Sequence, residues 1–110
     1  MSYDVWITTR DVDGNRLDVP VVDSQFGLGI FYAKAMAGEG IKSIDGKSCK
    51  DALPVLEAAL LNLVKYRASI LLQVTSTEDP EELYEACFRT LFDLVALTHK
   101  HPSGFVRVAE

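Results

Sequence analysis

The stretch from Asp79 to Pro102 constrains the fold of this chain more than any other, because it marks a helix at both ends. Asp79-Pro80-Glu81-Glu82 supplies a side-chain acceptor at the N-cap and a proline at the first helical position, where its missing N–H is harmless. The acids also complement the positive end of the helix dipole. At the other end His99, Lys100 and His101 suit the negative end of the dipole, and Pro102 forbids continuation. Between these marks Leu83, Cys87, Thr90, Leu91, Leu94 and Thr98, interleaved with Tyr84, Phe88 and Val95, form one broad apolar face. Such a helix holds its shape only when that face is covered. The rest of the chain must therefore build a core around it. With 110 residues, one domain over 1–110 is expected, burying roughly two-thirds of its unfolded surface.

Composition narrows the class. A hydrophobic share of 48% and a mean hydropathy of +0.10 exclude a disordered chain. Uninterrupted apolar runs are only a few residues long, so no segment is expected to span a bilayer. Met1-Ser2-Tyr3-Asp4 carries neither a basic nor an apolar targeting region, and a cytoplasmic protein is expected. Two cysteines do not make a disulfide framework. The net charge of −5 argues against direct nucleic-acid binding, which draws its affinity from Lys and Arg displacing counterions.

Along the chain, Tyr3, Val5, Ile7 and Thr9 alternate with Asp4, Trp6, Thr8 and Arg10 and read as a strand. Asp13-Gly14-Asn15 offers a turn with positive φ, after which Leu17, Val19 and Val21 alternate as a second strand. Pro20 cannot donate to a ladder and pushes that strand to an edge or ends it early. A short helix is expected near 28–37, stopped by Gly38-Glu39-Gly40, and a turn-rich connector over Gly40–Gly46. From Asp51 to about Tyr66, Leu53, Leu56, Ala59, Leu60, Leu63 and Val64 form a helical stripe. Asp51 as N-cap would put Pro54 at the third helical position, where its missing N–H does no harm. Ile70–Val74 fits a strand or a continuing helix equally well, and Phe105–Val108 reads as a final strand. The expected fold class is α+β: a small antiparallel sheet, made of the N-terminal hairpin plus the C-terminal strand, packed by two main helices.

The N-terminal Met1–Asp4, Gly40-Ile41-Lys42-Ser43-Ile44-Asp45-Gly46, Ala52-Leu53-Pro54-Val55-Leu56-Glu57-Ala58-Ala59, and His101-Pro102 running to Val106-Arg107-Val108 form an ordered set spread over most of the chain. In it the chain resembles a group of small uncharacterised proteins of phages, prophages and actinobacterial genomes. The resemblance implies an α+β fold and a mobile-element setting, and it carries over no catalytic residue.

Chemistry-bearing residues are few. Asp11, Asp13 and Asn15 imitate the start of a calcium loop, but Arg16 stands where glycine is needed and Val22 where glutamate is needed, so a polar turn explains them better. Zinc would need all four of Cys49, Cys87, His99 and His101, and no paired cysteine spacing supports that. Cys87 lies in an apolar stripe, whereas Cys49, between Lys47 and Lys50 near a helix start, is placed for a lowered thiol pKa. Gly27-Leu28-Gly29 lacks the third glycine of a dinucleotide loop. No cofactor is expected.

What remains is surface. Asp4, Asp11, Asp13, Asp18 and Asp23 gather in the first hairpin, and Glu78, Asp79, Glu81, Glu82 and Glu85 gather at the start of the last helix. Facing one way, the two clusters would present spaced negative charge to a basic groove. Each cluster also has a local role, in turn solvation and helix capping. Trp6 falls on the strand face opposite Val5 and Ile7, either exposed for a partner or packed under a helix. The leading expectation is a non-catalytic accessory protein that docks on a basic protein partner through Trp6, Asp11, Asp13, Asp18, Glu78, Glu81, Glu82 and Glu85. Inhibition of a host defence protein, anti-CRISPR-like, is one example. The alternatives are a homodimer joined by its edge strand and apolar sheet face, and, more remotely, a small enzyme using Cys49 or the histidines.

Overall fold

Asp13-Gly14 makes the turn its composition calls for. The computed structural model describes residues 3–21, 29–36, 40–74 and 79–110. In it β1 (Asp4–Arg10) and β2 (Arg16–Pro20) form an antiparallel hairpin with Thr8 opposite Asp18. Gly14 sits at φ +82°, a region that side chains rarely enter. Asp11 ties the loop together: its carboxylate accepts the N–H groups of Asp13 and Asn15, both at 2.9 Å. Pro20 closes β2 opposite Trp6, and β2 is an edge strand. β3 (Phe105–Ala109) pairs with the other side of β1, Val5 opposite Val108, giving the order β2-β1-β3. Val5, Ile7, Val106 and Val108 all point to the core side and are buried.

The helices supply the rest of the core. α1 spans Gly29–Ala35 and buries Phe31 and Tyr32 completely. Leu28 and Ala37 of the expected 28–37 helix, and its Gly38-Glu39 stop, lie outside the described residues. The connector that follows winds into a 3-10 helix, Gly40–Ile44, which buries Ile41 and Ile44. α2 spans Cys49–Lys65, α3 Arg67–Gln73 and α4 Pro80–Lys100. The run Ile70–Gln73 is therefore helical. Only Ile70 of α3 is buried, and Leu72 is exposed.

The start of α2 corrects the expected cap. Ser48, not Asp51, is the N-cap, its hydroxyl accepting the Asp51 N–H at 3.1 Å. Helix formation begins three residues early because β3 fixes the approach: Ser48 bridges to Phe105, and the Cys49 N–H donates to the Gly104 carbonyl at 2.8 Å. Pro54 thus lies inside the helix rather than in its first turn, and the Lys50 carbonyl has no backbone donor at i+4. Both residues are exposed, so water reaches that carbonyl.

α4 follows its sequence marks. The Asp79 carboxylate accepts the Glu82 N–H at 3.1 Å, and the helix ends before His101. α2 and α4 run antiparallel, the Tyr84 hydroxyl near the start of α4 donating to the Leu63 carbonyl near the end of α2 at 2.7 Å. Leu56, Leu63, Leu91 and Leu94 are fully buried among these elements. α1 lies across both: Phe31 meets Tyr84 edge-on, and the Asn62 amide donates to the Ala35 carbonyl at 3.0 Å. The fold is α+β, a three-stranded antiparallel sheet packed with helices.

Candidate functional site

The strand alternation sorts the sheet into two faces. On the outward face stand Asp4, Trp6, Thr8 and Arg10 of β1, Arg16, Asp18 and Pro20 of β2, and Phe105, Arg107 and Ala109 of β3. Every one of these is exposed or half-buried and none is buried, so no layer of the described residues covers this side of the sheet. Trp6 is half-buried, flanked by Pro20 and Arg107, and its indole N–H is shut from water with no hydrogen-bond partner. That is an uncommon condition for a tryptophan, whose N–H normally finds an acceptor when buried. Phe105 is half exposed next to Thr8. A groove of about 340 Å³ opens at this end of the sheet, lined by Thr8, Thr9, Arg10, Arg16, Ser103 and Phe105.

The hairpin acids are partly engaged within the hairpin itself. Asp18 accepts from the Arg16 guanidinium at 3.1 Å and from the Thr8 hydroxyl at 3.0 Å, and Arg16 first and Thr8 second hold its carboxyl below the usual carboxylate range. Arg10 donates to the Gly14 carbonyl. From Arg10 to Asp18 three carboxylates face two guanidinium groups, so the field of the loop is only weakly negative. Asp13, at the tip, is exposed.

The acids of α4 lie far from these. Tyr3, just before β1, meets the Tyr32 ring, and the Tyr32 hydroxyl sits beside Cys87 and Thr90 midway along α4. At the other end of β1, Ile7, Thr8 and Thr9 pack on Gly104, just past the end of α4. β1 therefore runs the same way as the second half of α4, and the hairpin tip reaches beyond that helix's C-terminal end. Glu81 and Glu82 stand at the opposite end, the helix itself covering about 30 Å. The longest dimension of the molecule is 48 Å. Trp6, Asp11, Asp13 and Asp18 share one hairpin, with Trp6 toward its base and Asp11 and Asp13 at its tip. Glu81, Glu82 and Glu85 form a separate exposed group, and Glu78 and Asp23 lie outside the described residues.

The thiols do not fit the reactive reading. Cys49 is 1% exposed, and burial pushes its thiol pKa up rather than down. Lys47 and Lys50 flank it in sequence, yet the helix start turns its side chain into the core. Cys87 is fully buried, and burial drives its thiol far above the ordinary range. Among the described residues no group of three or more His, Cys, Asp or Glu is gathered to hold a metal ion. No helix of the described residues is long and apolar enough to cross a membrane.

A second surface feature lies on α4. Tyr84, Glu85, Phe88, Arg89 and Phe92 line an open groove of about 450 Å³. The Phe88 and Phe92 rings stack at 6.4 Å with an interplanar angle of 17°, and Phe92 is 57% exposed. The single broad face read from the sequence is in fact two stripes. Tyr84, Cys87, Leu91, Leu94 and Thr98 are buried, and Phe88, Phe92 and Val95, one position on, are not. The signal was present as a repeated 4–3 spacing beside the core stripe. Neither a family model, nor a curated protein, nor a solved structure matches the chain.

Proposed function

We propose that this chain is a non-catalytic, protein-binding accessory protein of phage or mobile-element type, acting in the cytoplasm of the host cell. It docks on a host protein through the outward face of its sheet and the tip of its hairpin. Inhibition of a defence protein, in the anti-CRISPR manner, is one concrete form. The observation that carries the reading is the Trp6 indole: a buried, unpartnered donor beside half-exposed Phe105 on a sheet face that no layer of the described residues covers, next to the edge strand β2. A partner surface laid on the outward face of the sheet would cover both aromatic rings, and an extended segment of it can pair with the β2 edge. Asp11 and Asp13 favour basic groups at the hairpin end, with only a modest dependence on salt because Arg10 and Arg16 temper their field. The mobile-element setting rests on the sequence resemblance alone.

Affinity capture from host lysate at low and raised salt tests this. The expected result is one partner recovered by the wild type, retained less as salt rises and lost with Trp6→Ala. Recovery of nothing at either salt, or equal recovery by wild type and Trp6→Ala, removes the reading.

A further inference from the structure

The outer stripe of α4 reads Glu81, Glu85, Phe88, Phe92, Val95, His99, a heptad spacing of alternating four and three residues. α2 carries Leu53, Glu57, Leu60 and Val64 at the same spacing. Both stripes turn away from α1. On α4 it is Thr90, on the other side of the buried stripe, that lies beside Tyr32, and on α2 it is Asn62 that bonds to α1. Val64 and Phe92 are mostly exposed, and Leu53, Leu60, Phe88 and Val95 are half-buried. The antiparallel pair α2–α4 thus presents a second packing face with nothing of the described chain laid upon it.

We propose that this face joins two copies of the chain, α4 packing antiparallel against α4 about a two-fold axis between Phe88 and Phe92. The pattern of α4 is complementary to itself in this orientation and in one register. With the axis at the middle of the helix, Phe88 faces Phe92 of the second copy, Glu85 faces Val95, and Glu81 faces His99. Each layer joins an a position to a d position, the pairing that antiparallel coiled coils use. The acidic first turn, Glu81 and Glu82, then lies along the basic last turn, His99 and Lys100, of the second copy, and the helix dipoles oppose favourably. Arg89, nearest the axis, is offset by Glu85 one turn away on its own helix. A foreign partner of either charge would match only one end of this helix, whereas a second copy matches both. The face lies apart from the sheet surface of the docking reading, and it differs from an edge-strand dimer.

Sedimentation of the full chain across a concentration series, with melting followed by circular dichroism, tests the proposal. The wild type is expected to dimerise, and Phe92→Asp to weaken the dimer about a hundredfold or more with its helical signal intact, because the ring is exposed in the monomer. Glu81→Lys and His99→Glu are each expected to weaken the dimer about three- to tenfold, since a symmetric dimer holds that pair twice. The double variant is expected to restore it. A wild type that stays monomeric throughout, a dimer indifferent to Phe92→Asp, or single charge variants that the double does not rescue would each overturn the proposal.

Discussion

The hairpin loop and the junction around Gly104 are both turns beside β1, one at its tip and one along its flank, and they are held by different kinds of bond. In the loop, Asp11 binds Asp13 and Asn15, Arg10 binds Gly14, and Arg16 binds Asp18, all within a few residues. At the junction local bonds such as that from the Gly104 N–H to the His101 carbonyl are joined by remote ones. Gly104 receives the Cys49 N–H, Lys47 receives that of Val106, and one Asp45 oxygen accepts from both the Val108 N–H at 2.8 Å and Arg107 at 3.1 Å. The loop protrudes into solvent, with Val12 fully exposed, while the junction backs onto buried Ile7 and Val106. A turn made of local bonds can open without the core noticing. A turn made of remote bonds opens only with it.

Substitutions at the two turns should therefore separate sharply. The largest effect is expected from Gly104→Ala. A Cβ there would stand 2.9 Å from Ile7 Cγ2 and 3.0 Å from the Thr8 carbonyl oxygen, so strand or junction must shift, costing about 1–3 kcal/mol in denaturant unfolding. A melting curve unchanged from wild type would show the junction to be looser than its packing. Asp45→Ala comes next. The Val108 N–H, and after it Arg107, holds the Asp45 carboxyl below its ordinary value, so its contribution is present at neutral pH and fades as pH falls below about 4. The variant should lose about 1 kcal/mol at pH 7 and lie closer to the wild type in acid, the half-exposed pair being weakened by solvent. A difference that stays constant down to pH 2 would assign the effect to packing instead. The smallest effect belongs to Asp18→Asn. That carboxyl too is held low, by Arg16 and then Thr8, but it stands in the protruding hairpin, open to solvent. No change in global melting is expected, only faster hydrogen exchange within β2. A fall in melting temperature matching that of Asp45→Ala would erase the contrast between the turns.

The same contrast governs what could be read from the amino-acid order. Asp79, Pro80 and Pro102 fix α4 through neighbours a turn away, and Gly14 and Pro20 fix the hairpin and its edge likewise. The cap of α2 was hidden because Ser48 is chosen by Phe105 and Gly104, more than fifty residues further on. Ile70–Val74 was ambiguous because only two of its apolar side chains, Ile70 and Val74, are buried, too few to declare a period. The outward placing of Trp6 followed from strand alternation, but its flanking by Pro20 and Arg107 is set by the pairing register with two other strands. The burial of Cys49 was opaque because flanking lysines report charge and not which side of a helix start faces inward. On α4 the second stripe merged with the first, since aromatic residues widen an apolar face whether or not anything covers it.

The central place of β1 has a consequence for the order in which the chain can be completed. Its two neighbours are made far apart in the order of synthesis: β2 follows after five loop residues, whereas β3 arrives only after the described helices α1 to α4. A growing chain that has already formed α4 still carries β1 as an unpaired edge, open to any extended segment nearby. Closing the sheet then spans nearly the whole described chain, the kind of distant contact that slows folding most. β3 is thus the element whose arrival ends the period in which this protein is most prone to pair with the wrong strand.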